Sequence, residues 1–255
     1  MDAMEVHHGK HSVRDWRGFA AEFVMIAIAV FVGSMGEYYL EHKINEERRD
    51  DSLALMLRTL EADRRNLDEI LGYCDRGIAY LNRSKMSAYQ YKTRQISRDT
   101  YFKLIAEDIA NRYTYRTFFL DRTAFNSMSA VGLVSLVDSS ELKVAISNYY
   151  EVISRRLDDN NKLVDSEAQR YYYDSFPLQN TANDPNVEIR GKMESPLDMS
   201  FYLTLPIVIE KMTSDRFITD TDNLLIRVAD YRSLLLTIRA KNEEVDKLIR
   251  RNLKI

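Results

Sequence analysis

Residues 23–36 read FVMIAIAVFVGSMG, a charge-free apolar run near the N-terminus of an otherwise polar chain. The 14 residues of this run would form about 21 Å of helix, which is short for a hydrocarbon core of about 30 Å. Extension to residues 19–40 gives 22 residues and about 33 Å, enough to cross a bilayer. No second run of similar length follows in the sequence, which therefore predicts one transmembrane helix over 19–40.

The ends of this predicted helix carry side chains suited to a membrane interface. Trp16, Tyr38 and Tyr39 fall where the aromatic belts of a spanning helix are expected. Glu37 is close enough to the far end for its carboxylate to reach the interface. Both ends of the segment are therefore consistent with a helix that crosses the bilayer.

Some side chains inside the predicted span suggest more than anchoring. Glu22 lies one turn inside the segment, where a carboxylate is costly and is a candidate for binding a cation or carrying protons. Alternatively, Glu22 lies at headgroup depth near Arg14 or Arg17 and only positions the helix. Ala29 and Gly33 form a small-xxx-small face that permits contact between membrane helices.

Two other interpretations of the apolar run stay open. A cleaved signal peptide fits because Val32-Gly33-Ser34 is a passable cleavage site after a basic N-terminal region. A buried helix of a soluble protein fits because runs of this length often have that role.

The orientation of the chain in the membrane also stays open, since Lys and Arg are similarly frequent before the run and just after it. Cys74 is the only cysteine, which is compatible with cytoplasm and periplasm.

The composition predicts an all-α protein. Only 8 Gly and 4 Pro occur in 255 residues, and 29% of the residues are charged, which is typical of helix-rich chains. A net charge of −3 gives no basis for a nucleic-acid partner. The predicted architecture is a transmembrane helix that continues into a long helical stalk and a helical-bundle domain. Its parts are a tail at 1–18, the membrane helix at 19–40, a stalk helix at 41–86, a central helical domain at 87–219 and a C-terminal heptad helix at 220–255.

Apolar residues recur at alternating spacings of four and three in two long segments, which is a coiled-coil-like heptad pattern. The first seam consists of Leu53, Leu57, Leu60, Arg64, Leu67, Leu71, Cys74, Ile78 and Leu81. The second seam consists of Leu224, Val228, Tyr231, Leu235, Ile238, Asn242, Val245 and Ile249. An antiparallel hairpin within one chain and a parallel homo-oligomer would both bury these seams, and the pattern does not separate them.

Each seam contains one polar residue at a core position, Arg64 in the first and Asn242 in the second. Such a residue costs stability but can fix register and the number of partners. For Arg64 the alternative is that the side chain extends its charged head to the rim of the core.

The central region contains further helical segments. Residues 101–110 and 116–137 read as helical pieces, and residues 220–222 as the start of the last helix. Asp138 and Glu141 have the spacing of a capping box at the start of a helix that ends near Tyr173. The apolar face predicted for that helix is Leu142, Ile146, Tyr149, Ile153, Leu157, Asn160 and Val164. Residues 177–196, rich in Asn, Asp and Pro, are predicted to form a loop.

Several segments resemble an uncharacterised bacterial family of single-pass inner-membrane proteins. They are Ala21-Glu22 at the start of the membrane segment, KINEER at 43–48 and TAFNSMSAVG at 123–132. The family has an early Glu, an Asn-Glu-Glu-Arg-like exit and a central helix–Gly–helix element. This chain departs from it at Ala21, where Gly is usual, and at residues 43–44, where Trp usually precedes Asn. The resemblance implies an inner-membrane anchor, a cytoplasmic N-terminus and a periplasmic helical domain, and it implies no activity.

The sequence offers no constellation of catalytic residues. His7, His8 and His11 could bind a transition metal or belong to a flexible tail. Neither a phosphate-binding Gly-rich loop nor an HExxH zinc helix nor a nucleophile elbow is found in the sequence. We therefore expect neither enzymatic activity nor a cofactor nor a metal site.

The sequence favours a non-catalytic assembly, scaffold or sensor component of the bacterial envelope, with the lipid bilayer and either a second copy or another membrane protein as partners. The alternative is an oligomeric channel or ion-conducting subunit that uses Glu22.

Overall fold

The computed structural model describes residues 16–110, 116–172 and 206–255, and within these ranges the chain is all-α with no strand, as predicted. A 3₁₀ turn at Leu133–Leu136 and a π-helical turn at Asn148–Ile153 interrupt the α-helices. The helices are α1 at Trp16–Lys92, α2 at Arg98–Ala110, α3 at Thr123–Ala130, α4 at Ser140–Ser147, α5 at Ser154–Arg170, α6 at Pro206–Met212 and α7 at Asp215–Leu253.

The chain divides into two compact units, Met1–Asp51 and Ser52–Ile255. In the first unit, the described residues all belong to α1. This part of α1 contains a segment that is long and apolar enough to cross a membrane, and none of the segment is buried in the protein. The predicted membrane helix at 19–40 falls in this segment, and the predicted stalk at 41–86 also lies within the bounds of α1.

The core of the second unit is built on the antiparallel packing of α1 and α7. Ion pairs join the two helices at successive levels, and the residue number rises along α7 as it falls along α1. The pairs are Lys85 Nζ–Asp222 Oδ1 at 2.6 Å, Asp75 Oδ1–Arg232 Nε at 2.5 Å and Asp68 Oδ1–Arg239 Nε at 2.7 Å. Lys92 and Asp215 pair in the same way at one end.

The two seams face each other in this arrangement. Every residue of the second seam is buried, and in the first seam only Arg64 and Ile78 are half-buried. Of the two ways in which the sequence could bury its seams, the structure contains the antiparallel one within a single chain.

Helices α4 and α5 also run antiparallel to α7. Glu141 at the start of α4 pairs with Arg251 near the end of α7, and Arg170 at the end of α5 pairs with Asp220 near its start. Helix α7 therefore contacts α1 through one face and the α4–α5 segment through another.

The π-helical turn between α4 and α5 corrects the predicted register. A π turn accommodates one extra residue, and Tyr149 and Tyr150 are consequently both buried. After the turn, the buried positions are Ser154, Leu157, Asn161, Val164 and Ala168. The predicted core positions Ile153 and Asn160 are instead half-buried.

Several predicted boundaries were wrong, and one of them is the end of the stalk at 86, since α1 continues to Lys92. The N-cap of α4 is Ser139, whose Oγ accepts a hydrogen bond from the Leu142 N–H, and not Asp138. Helix α7 begins at Asp215 behind its N-cap Ser214, so the predicted domain boundary at 219/220 falls inside a helix. Residues 116–122 are irregular where helix was predicted, because their backbone is held by the side chains of other elements, as described below. The predicted loop at 177–196 lies outside the described residues.

The antiparallel arrangement predicts which positions can be cross-linked within one chain. In a Cys74→Ala background, Lys85→Cys and Asp222→Cys should be joined by a short bismaleimide, because their side chains meet in the structure. The product should migrate as a monomer on a denaturing gel, with the linked peptides identified by mass spectrometry. Lys85→Cys combined with Arg251→Cys, at the far end of α7, is the control that should not link within a chain. Linkage of Lys85→Cys to Asp222→Cys mainly as dimers that vanish on dilution would contradict the fold.

Candidate functional site

The predicted site residues of the first unit all lie on the surface of α1. Glu22, Ala29, Gly33 and Glu37 are exposed, and a Cβ at Gly33 would meet nothing within 4 Å. Among the described residues, neither carboxylate has a basic partner within the 4.0 Å limit for an ion pair. Arg14 and Arg17 are the two partners considered for Glu22. Arg14 and the side chain of Arg17 lie outside the part of the chain that the structure describes.

The polar seam residues Arg64 and Asn242 meet in the core of the second unit. Arg64 Nε donates to Asn242 Oδ1 at 3.1 Å. Asn242 Nδ2 donates to the Leu60 carbonyl at 3.0 Å and to the Tyr149 hydroxyl at 3.1 Å. The amide of Asn242, which is fully buried, thus finds partners on α1 and on the π-helical turn.

The guanidinium of Arg64 turns towards α7 and also pairs with a carboxylate there. Arg64 Nη2 lies 3.3 Å from Asp246 Oδ1, and Asp246 Oδ2 accepts from Arg250 Nε at 2.8 Å. The polar cluster of Arg64, Asn242, Tyr149 and Asp246 therefore links three segments of the bundle. Asp246 had no signal in the sequence beyond its position one turn after Asn242.

Asp63 is a buried carboxylate that the sequence analysis missed. It occupies a row of positions spaced by seven, between Met56 and Ile70, and this spacing is the signal that could have revealed it. Its Oδ1 accepts one long hydrogen bond, 3.4 Å, from the Asp121 backbone N–H. Burial raises the pKa of Asp63 to about 7, and this outweighs the lowering by that hydrogen bond.

A second polar network holds the irregular segment 116–122 against the bundle. The Phe118 N–H donates to the Tyr231 hydroxyl at 2.8 Å, and that hydroxyl donates to Asn161 Oδ1 at 2.7 Å. Asn161 Nδ2 in turn donates to the Phe118 carbonyl at 2.8 Å, which closes a ring of hydrogen bonds. Both backbone groups of the buried Phe118 are thereby satisfied by side chains of α5 and α7.

Cys74 and the histidines of the tail are the remaining candidates for chemistry that the sequence offers. Burial raises the pKa of the Cys74 thiol to about 11, so this buried thiol is protonated at neutral pH. In the part of the chain that the structure describes, no group of three or more His, Cys, Asp or Glu residues could hold a metal ion. The histidines at positions 7, 8 and 11 are outside that part.

Comparison of the chain with known protein families, with curated proteins and with solved structures found no match. The resemblance to the family of single-pass inner-membrane proteins stays an expectation from the sequence.

The hydrogen-bonded ring predicts a difference between two adjacent asparagines. Asn161→Ala should lower the free energy of unfolding by roughly 2–4 kcal/mol, because the buried Phe118 carbonyl and Tyr231 hydroxyl lose partners. Asn160→Ala is the matched control with a small effect, since Asn160 Nδ2 bonds only the carbonyl of Arg156 on its own helix. Unfolding of the full chain in detergent micelles, followed by circular dichroism, measures both. If Asn160→Ala and Asn161→Ala lowered the free energy of unfolding equally, the register set by the π turn would be contradicted.

The raised pKa of Asp63 predicts that the free energy of unfolding falls as pH rises. The folded pKa of about 7 lies above the ordinary value of 3.8, so the folded state retains a proton that the unfolded chain releases. The stabilisation is complete below about pH 4 and is lost as pH rises to about 7, by at most about 4 kcal/mol.

The change Asp63→Asn tests this pH dependence in unfolding experiments on the full chain. The variant should lose this part of the pH dependence, while Asp68→Asn, an exposed position on the same helix, should retain it. If the free energy of unfolding of Asp63→Asn depended on pH as it does in the original chain, the raised pKa of Asp63 would be contradicted.

Proposed function

We propose that this protein is a single-pass membrane-anchored helical protein of the bacterial inner membrane that acts as a non-catalytic assembly, scaffold or sensor component. The observation that carries the proposal is that one helix, α1, contains both the exposed apolar segment and the first seam of the bundle. Helix α1 therefore contains one segment suited to contact with lipid and another that packs in the helical bundle.

The exposure of the apolar segment supports lipid as its partner. Full burial of a large apolar side chain is worth about 1.5–3 kcal/mol, so a row of them left in water is strongly unfavourable. A bilayer would cover all sides of the segment at once. The large side chains concerned include Phe19, Phe23, Met25, Ile26, Ile28, Val30, Phe31, Val32 and Met35, each more than half exposed.

We place the N-terminus in the cytoplasm and the helical unit in the periplasm. The support is the family resemblance, because the distribution of Lys and Arg does not decide orientation.

We assign contact with a second copy or with another membrane protein to the membrane segment. Within the bundle the two seams cover each other, so they are not available for a partner. The exposed Ala29 and Gly33 permit close approach of a second helix.

An ion-conducting oligomer is the second candidate. The specific observation in its favour is the exposed carboxylate of Glu22 inside the apolar segment, without a basic partner among the described residues. A ring of such carboxylates would face the centre of an oligomer.

The two candidates predict different behaviour of the full chain in nanodiscs. For an assembly component, mass measurement should give a monomer or a small oligomer, and planar-bilayer recordings should show no conductance. A conducting subunit should instead form a closed ring whose conductance is lost in Glu22→Gln and kept in Glu37→Gln, a matched carboxylate at the other end of the segment. Recovery of the full chain in the soluble fraction of cells would contradict both.

Orientation is tested separately by a reporter fusion at Ile255. Alkaline phosphatase, which is active only in the periplasm, should be active when it is fused at Ile255. A fluorescent protein fused at the same position and exported by the same route should be dark. The reverse pattern would place the helical unit in the cytoplasm.

A further inference from the structure

An open polar cleft lies between α5 and α7 in the second unit, with a volume of about 390 Å³. This size is in the range of sites for small molecules. On α7 the cleft extends from Arg227 to Thr237, which corresponds to about 15 Å of helix. None of the networks described above includes the charged residues that line it, namely Arg156, Arg227 and Asp230.

Arg156 on α5 and Arg227 and Asp230 on α7 form no ion pair within the described part of the chain. Among the described residues, no carboxylate oxygen lies within 4.0 Å of a nitrogen of Arg156 or Arg227, and no basic nitrogen lies that close to Asp230. Other arginines of α5 and α7 do pair within the chain, namely Arg170, Arg216, Arg232, Arg239, Arg250 and Arg251, whereas the exposed Arg155 does not pair with a described residue.

Each uncharged polar side chain of the cleft donates one hydrogen bond to a carbonyl of its own helix. Ser233 Oγ donates to the Ala229 carbonyl at 3.0 Å, and Thr237 Oγ1 donates to the Ser233 carbonyl at 3.1 Å. Asn160 Nδ2 donates to the Arg156 carbonyl at 2.8 Å. The oxygens of these side chains keep lone pairs for a ligand, so the cleft presents acceptors together with two guanidinium donors.

The register of the helices gives the order of the charges along the cleft. Asn161 bonds Tyr231 across the interface, so Arg156, five residues before Asn161, faces α7 about five residues after Tyr231. Asp230 and Arg227 lie towards the other end. Asp230 is therefore separated from the level of Arg156 by about six residues, or about 9 Å along the axis.

From this arrangement we infer that the cleft binds a small zwitterionic solute, with an ammonium group on Asp230 and an anionic group on Arg156. A tripeptide with free termini has the right length, since three extended residues span about 10 Å. Its carboxylate can accept a bidentate pair of hydrogen bonds from a guanidinium. Arg227, one turn from Asp230, is left to meet carbonyl oxygens or an acidic side chain of the ligand. An ethanolamine phosphate headgroup has the same two charges, closer together.

The inference goes beyond the proposed function and does not depend on the membrane anchor. Isothermal titration calorimetry of the full chain in detergent tests it with four probes: triglycine, N-acetyl-triglycine, triglycine amide and glycerophosphoethanolamine. The acetyl group removes the ammonium charge and the amide removes the carboxylate. Triglycine should bind, and both modified peptides should bind about tenfold more weakly or worse, as expected for loss of a charged hydrogen-bonding partner.

Substitutions locate the site. Arg156→Gln and Asp230→Asn should each weaken triglycine binding by about tenfold or more. Arg155→Gln is the matched control, since Arg155 is exposed on the same helix and does not line the cleft. Circular dichroism of each variant should be unchanged, because Arg156 and Asp230 are exposed.

The outcomes separate the possibilities. Binding of glycerophosphoethanolamine in preference to triglycine would support the paired charges and assign the ligand to lipid headgroups. Equal binding of triglycine and its acetylated form would overturn the role of Asp230 and leave a simple anion site. Absence of binding by all four probes at millimolar concentration, or equal weakening in Arg155→Gln, would overturn the proposal.

Discussion

Helix α7 buries the second seam against the first seam of α1 and offers its other face to α5. The core depends on this packing, because α5 and the irregular segment around Phe118 are both attached through residues of α7, chiefly Tyr231. The seams supply most of the apolar burial, at about 1.5–3 kcal/mol for each fully buried large side chain. Without α7, the apolar row from Leu53 to Leu81 and the buried face of α5 would both be exposed.

Apolar packing alone leaves the register of this pair weakly determined. A heptad pattern repeats every seven residues, so a slip by one repeat would again place apolar residues opposite each other. The buried amide of Asn242 removes this freedom, because it finds its partners on Leu60, Arg64 and Tyr149 only at the observed level. An unpaired buried amide costs about 1–3 kcal/mol. The polar cluster thus adds specificity where the apolar seam adds stability.

The helical fold could be predicted from the sequence because its signals are local, but the choice of partners could not. The spacing of the two seams identified two long helices correctly, and it was equally compatible with a hairpin and an oligomer. Asn161 was missed in favour of Asn160, since a π turn adds one residue that a regular helical period does not contain. Asp63 was missed because it lies beside the first seam, in the row of Met56 and Ile70, and a carboxylate at such a position is expected to be exposed. The start of α7 was placed too late, because the capping side chain of Ser214 lies before the first residue of the seam.

Some charged residues of the second unit pair within the fold, and others line the open cleft. Arg64 and Asp246 are bonded within the chain, so the fold itself accounts for their presence. Arg156 and Asp230 face an open cleft, and among the described residues they have no partner of opposite charge. A folded chain gains little stability from an exposed charge that pairs with nothing. We propose that their partner comes from outside the chain, as we propose lipid for the exposed apolar segment of α1.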